Sequence, residues 1–303
     1  MRKSRRLVPA AIALSLGLWS GSCHLITHRT IRRNGKVATP TQTLLTATRD
    51  ELTARIRSIY DAIQSFQATV AMTPSIGSVY KGQITEIHDV HAYVLFRKPA
   101  EIRIIGQLPV VGTKAFDMVS DGENFRFYLV SKNLFVEGSN SAPATSKNKL
   151  ENLRPQAFLS SMLIRPSEPS EHAFLEDQTD EENALYILQL IQLDPNGNPA
   201  ASRSIWFDRL DLSITRQIVY DGGGEIVSNT RYAKWQSFNG VLFPAHIDIN
   251  RSKDGYGVTM DITQMQMNTP LTADKFVLNK PESAQLQVIG AGQPPASGRQ
   301  APQ

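Results

Sequence analysis

The feature that most limits what this chain can fold into is an alternation of apolar and polar side chains with a period of two. It runs through "FQATVAM" (66–72), "GQITEIHDV" (82–90), "AYVLFRK" (92–98), "EIRIIG" (101–106), "AFDMVSD" (115–121) and "NFRFYLVS" (124–131). After a break it resumes in "ALYILQLIQL" (184–193), "SRSIWFD" (202–208), "SITRQIVYD" (213–221), "EIVSNTRYAKW" (225–235), "VLFPAHIDIN" (241–250) and "GVTMDITQMQM" (257–267). Successive side chains of a strand point to opposite faces, so such runs bury one face and wet the other. Asp121-Gly122, Asp221-Gly222-Gly223-Gly224 and Asn239-Gly240 supply the residue types that tight turns need. About eleven strands joined by short turns predict an α+β fold, mainly antiparallel β, built on one long curved sheet.

Two stretches break the alternation. Thr48-Arg49-Asp50-Glu51 has the spacing of a capping box, and Leu52, Ile56, Ile59, Tyr60, Ile63 and Phe66 follow at three and four residues, one stripe of a helix. Residues 150–164, "LENLRPQAFLSSMLI", place Leu153, Ala157, Phe158 and Met162 at helical spacing, with Pro155 suited to a first turn. The apolar stripe of the first helix predicts packing against the sheet.

The amino terminus reads as an address. "MRKSRR" carries four cations and no acid, and "LVPAAIALSLGLW" (7–19) is apolar but shorter than the roughly 20 residues a spanning helix needs. Ser20, Gly21 and Ser22 then lead to Cys23, the one cysteine of the 303 residues. A basic start, a short apolar run and small residues describe a signal peptide. The junction resembles the bacterial lipobox, whose cysteine is lipidated after cleavage, although Ser20 stands where that motif prefers Leu. A lone cysteine in an exported chain also has no internal partner for a disulfide. Cleavage before Cys23 would remove four of the 32 Lys and Arg, leaving 28 cations against 28 carboxylates. The dense cationic face that nucleic acid requires is then missing. Residues 1–22 are thus expected to be a signal peptide, 23–42 a flexible tether, 43–282 the folded domain and 283–303 a disordered tail.

Catalytic motifs are lacking. The six histidines are scattered, and His88 and His91 would point to opposite faces of a strand. There is no G-x-S-x-G and no H-E-x-x-H, and "DGGGE" reads as a turn. The acids of "EDQTDEE" (176–182) are expected in a solvated loop. The chain is therefore expected not to be an enzyme and to need no metal or cofactor.

"YVLFRKPAEIRIIG" with "FDMVSDGENFRFYLVSKNLFVEG", and later "IWFDRLDLSITRQIVYDGGGEIVSNTRYAKWQSFNGVLFPAHIDI", resemble the two halves of the LolA/LolB-like lipoprotein carriers. The resemblance spans about residues 50–280 and implies a half-open β-barrel closed by helices around an apolar cavity for acyl chains. It implies a lipid-anchored carrier or receptor facing the periplasm at the outer membrane. Its partners would be lipoproteins or other lipids, the membrane itself and a periplasmic carrier protein. Sensors and glycolipid or protein-binding modules of the same superfamily are the alternative. Lipidation of Cys23 places the chain nearer LolB. Gly106 to Lys114, "GQLPVVGTK", would be the membrane-contact loop, with Leu108, Val110 and Val111 at its tip, or else fold back over the cavity mouth. Lys98, before Pro99, stands where LolA carries an arginine that influences ligand release. Cavity candidates, chosen by alternation, are Val94, Phe96, Ile102, Ile104, Phe116, Met118, Phe125, Phe127, Leu129, Val258, Met260 and Ile262.

Overall fold

A computed structural model describes residues 32–33, 36–37, 43–78, 83–86, 90–108, 112–142, 153–194 and 196–289. Cys23, Val110 and Val111 lie outside the described residues. A two-residue ladder pairs β1 (Arg32–Arg33) with β2 (Lys36–Val37).

The capping box forms as its spacing predicts. The Thr48 backbone N–H donates to Glu51 Oε2 at 2.7 Å, while the Glu51 N–H donates to Thr48 Oγ1 at 3.3 Å. Helix α1 (Arg49–Ala62) begins there and buries Leu52 and Ile56. Two meanders follow. The first comprises β3 (Ser65–Ser78), β4 (Gln83–Glu86), β5 (Val90–Arg97), β6 (Glu101–Gln107), β7 (Lys114–Ser120), β8 (Asn124–Leu129) and β9 (Leu134–Ser139). Helix α2 (Pro155–Met162), with proline in its first turn, separates it from β10 (His172–Thr179), β11 (Ala184–Leu193), β12 (Pro199–Asp208), β13 (Ile214–Tyr220), β14 (Ile226–Phe238), β15 (Val241–Arg251) and β16 (Tyr256–Met267). A last strand, β17 (Gln285–Ile289), ends the described chain.

These strands, β3 to β17, make one 15-stranded sheet in the order β10-β11-β12-β13-β14-β15-β16-β3-β5-β6-β7-β8-β9-β17, with β4 on β3. The long antiparallel pairing of β3 with β16, Phe66 opposite Met267 and Ile76 opposite Tyr256, joins the two meanders. The sheet is not closed: β10 and β17 are its ends. The turns behave as their residues require. Asn239 and Gly240 both take positive φ, 50° and 84°, between β14 and β15, the combination that matches strand twist in a two-residue hairpin.

The register places one apolar face continuously across the sheet. Phe66, Phe96 and Ile102 lie side by side in adjacent strands, then Ile104 beside Met118 and Phe127, and on the other flank Met72 beside Met260 and Ile247. All of these are at most 2% exposed. Both helices cover this face. α1 packs on β10 and β15, and α2 on β6, β7 and β15.

Three expectations need correction. There are 15 strands in the sheet rather than about eleven. The acids Glu176 and Asp177 sit in β10 and not in a loop, because an edge strand with one wet face tolerates carboxylates, and Asp177 accepts from Arg209 Nη1. The sheet also continues past residue 282. After β16 the chain crosses the outer face, where Arg97, Arg103 and Arg126 donate to the carbonyls of Leu271, Lys275 and Leu278. Leu278 and Ala284 bury against Val119 and Phe135 there, and β17 then adds in parallel to β9.

Candidate functional site

The apolar face is filled unevenly along the strands. At the α1 end, Phe66, Phe96 and Phe243 meet with ring centroids 5.2 Å and 5.7 Å apart, and Leu52 and Ile56 close over the same core. At the other end, beside α2, lies a hollow of about 330 Å³. Its wall combines the end of β3, the starts of β5, β7 and β16, the end of β8 and the side of α2 that carries Phe158.

Of the residues singled out by alternation, Phe116, Met118, Phe127, Leu129 and Val258 line the hollow. Phe116 and Phe127 meet edge-on, centroids 6.2 Å apart at 71°. Val94, Phe96, Ile102, Ile104, Phe125, Met260 and Ile262 lie on the same face but in the packed core, each 8% exposed or less. Leu108, just past the end of β6, is 43% exposed and also lines the hollow, so the first of the three apolar residues of the expected contact loop stands at its mouth. Val130 stands there too, 37% exposed.

Lys98 is elsewhere. Val90, the first residue of β5, touches the hollow, and Lys98 follows the last residue of that strand, roughly 26 Å away at about 3.3 Å per residue. Its Nζ donates to the Tyr60 carbonyl of α1 at 2.8 Å and sits 4.2 Å from the Tyr60 ring centroid. Burial there lowers the Lys98 pKa, with the Asp61 carboxylate acting against the shift.

Period-two reading missed several wall residues, Met72, Val90, Leu153, Phe158 and Tyr256 among them. Gly106 acts on the wall from behind it: a Cβ there would run into the Phe116 ring, so the glycine lets that ring lie over β6. A glycine inside an otherwise apolar strand pattern is the signal that marks such a close approach.

Of the polar side chains of the wall, Tyr256 is buried, Ser75 is half-buried and the rest stand at the rim. Thr113, Lys114 and Ser131 are exposed, and Lys114 Nζ is held 2.7 Å from Asp117 Oδ2, a carboxylate fully buried on the opposite face of β7. Arg103 clamps the same carboxylate, Nε to Oδ1 at 3.0 Å and Nη2 to Oδ2 at 2.8 Å. Among the described residues no three His, Cys, Asp or Glu side chains gather as a metal-ligand set. No described helix is long and apolar enough to cross a membrane. What the site offers chemically is a greasy recess with a partly apolar lip.

A family model described as that of an uncharacterized protein matches residues 159–280. No curated protein matches the chain. Among solved structures, a DUF1329 family protein from Desulfovibrio piger is similar with a TM-score of 0.50 at 14% identity, over 75% of this chain and 94% of that one. It shows that the chain shares that protein's fold. A LolA superfamily protein from Nitrosomonas europaea is similar at TM-score 0.48 and 14% identity, over 77% of this chain and 99% of its own. An outer membrane lipoprotein-sorting protein domain from Vibrio parahaemolyticus follows at TM-score 0.46 and 12% identity, over 75% and 94%.

Proposed function

We propose that this chain is a carrier or receptor that holds an acyl chain of a lipoprotein or another lipid in the hollow beside α2. The observation that carries this reading is the wall itself: Phe116, Met118, Phe127, Leu129 and Val258 surround about 330 Å³, with Leu108 at the mouth. At roughly 30 Å³ per methylene, near the share of one water in the liquid, that is room for about ten methylenes of a single chain. Each one removed from water gains about 0.8 kcal/mol, so about 8 kcal/mol is on offer before ordering costs. No reactive group is needed.

The N-terminal features fit the same role. Lipid on Cys23 would hold the chain at the outer membrane, facing the periplasm, where the several acyl groups of a bacterial lipoprotein anchor firmly. Leu108, Val110 and Val111 would dip into the bilayer, so that a chain enters the hollow without crossing water. Lys98 would influence release only indirectly, through its hold on α1.

The test is extraction of the gently purified full chain with organic solvent, followed by mass spectrometry. A bound single-chain acyl species near one per protein supports the carrier. A groove that holds only water favours a sensor or scaffold that binds a protein partner.

A further inference from the structure

Exposed apolar side chains gather at one end of the sheet, the end where the hollow lies. Leu108 follows β6, Val130 follows β8, Leu193 ends β11 and Ile226 opens β14, while Ile84 of β4 pairs with Gly77 near the end of β3. Val130 is the least exposed of them at 37% and Leu193 the most at 61%. The antiparallel register puts these strand ends on one rim: Tyr256 pairs with Ile76 on one side and Arg251 on the other, Tyr220 with Ile226, and Leu193 with Pro199. The turns joining strands at the opposite end differ in kind. They present Asp121, Glu123, Asp180, Glu182 and Asp211 to solvent, and among the described residues none of those turns carries an exposed large apolar side chain. Leu45 and Val277, also exposed, lie before α1 and after β16 rather than in a turn between strands. Single exposed apolar side chains are ordinary, but a bias of their turns toward one end calls for a cause.

We propose that this whole rim rests on a bilayer of zwitterionic phospholipid, with Leu193 and Ile226 entering it as well as Leu108. This extends the membrane contact of the carrier reading from one loop to both meanders, and rests on that reading. Along the sheet, Leu108 and Ile226 are five strand spacings apart, roughly 24 Å at about 4.8 Å each, and Leu193 is three spacings further. Points so far apart cannot all meet one ligand held in the hollow, and on separate strand ends they make no continuous patch for a folded partner. A fluid bilayer accepts isolated apolar tips wherever they fall. Charges of the rim are matched within the fold: Lys253 holds Asp221 at 2.7 Å and also Glu225, Arg251 holds Asp254 at 2.6 Å, and Lys114 holds Asp117. Cations so engaged do not make the polybasic cluster that recognises anionic lipid, which points to neutral head groups. The carboxylates of the far end keep that end in water.

The experiment uses the full chain with Cys23→Ala, which removes the native thiol and any anchor, and adds Leu108→Cys, Leu193→Cys, Ile226→Cys or Glu182→Cys singly. Each new thiol is labelled with bimane and mixed with phosphatidylcholine vesicles whose acyl chains are brominated. Reporters at positions 108, 193 and 226 should be quenched and the one at position 182 should stay bright. Quenching at position 108 alone overturns the rim and leaves the loop contact and the carrier reading standing. Equal quenching at every position, 182 included, overturns it too, because no end is then preferred. Reporters at 193 and 226 that are shielded from iodide but not quenched by brominated lipid place a protein or a second copy there, which also overturns it. If no reporter is quenched, the one at position 108 included, the membrane contact of the carrier reading fails as well. In a second measurement, Leu193→Glu combined with Ile226→Glu should weaken partitioning into the same vesicles about tenfold, equally at low and high salt, with the circular dichroism spectrum unchanged. Undiminished partitioning overturns the proposal, and binding lost at high salt overturns the neutral head group.

Discussion

Gly106 and Phe116 are paired across β6 and β7, and the Phe116 ring lies in the space that a side chain at 106 would occupy. One of the walls of the hollow is therefore set by an absent Cβ. Gly106→Ala should push the ring off β6 and reshape the recess. The overpacking should cost about 1–3 kcal/mol in urea unfolding. Uptake of an environment-sensitive apolar dye should fall as well. A variant as stable and as dye-binding as the wild type would show that the ring can move aside freely.

Leu108 is exposed at the mouth, so replacing it should leave the fold alone. We expect Leu108→Glu to change stability by no more than about 0.5 kcal/mol. Co-sedimentation with phospholipid vesicles, and lipoprotein transfer where it can be assayed, should drop. Undiminished vesicle binding would remove the loop from the membrane-contact scheme.

Asp117 is fully buried and depends on Arg103 and Lys114 for compensation. Arg103→Ala should leave that carboxylate to Lys114 alone and release the Lys275 carbonyl as well, costing up to about 3 kcal/mol by denaturant titration. The double change Arg103→Met with Asp117→Leu should recover part of the loss. If the single variant costs under about 1 kcal/mol, the carboxylate must find another way to be satisfied.

Acid stability should be governed in part by Glu171. Burial opposes its charge, but Arg203 donates through Nε at 3.1 Å and Nη2 at 2.6 Å, and with Ser202 and the Glu168 N–H it outweighs burial and lowers the pKa. A depressed folded value means that this stabilisation is complete above the unfolded value of 4.5 and disappears as pH falls through the lower, folded one. Thermal unfolding followed from pH 6 downward should show a steeper decline in the wild type than in Glu171→Gln. Parallel declines would mean that other carboxylates dominate.

The sequence by itself determined what is local. Thr48 and Glu51 specify where α1 begins, Asn239-Gly240 specifies a hairpin, and the alternation in 92–98 and 101–106 dictates which side chains share the buried face. The polar edge strand β10 and the late strand β17 escaped because each is supported mainly by a neighbour far along the chain or on one flank. Period two names a face but carries no information about how far along it the covering helices reach. That is why Val94 and Phe96 could not be told from Met118 and Phe127, although the first two are in packed core and the last two in the wall of a recess. Only tertiary structure decided it: the pairing of β3 with β16 brings Tyr256 beside Ile76, and α2 settles over β6, β7 and β15 without filling the space at that end. Contacts between residues so distant in the chain depend on the shape of the whole sheet, which no short window of sequence encodes.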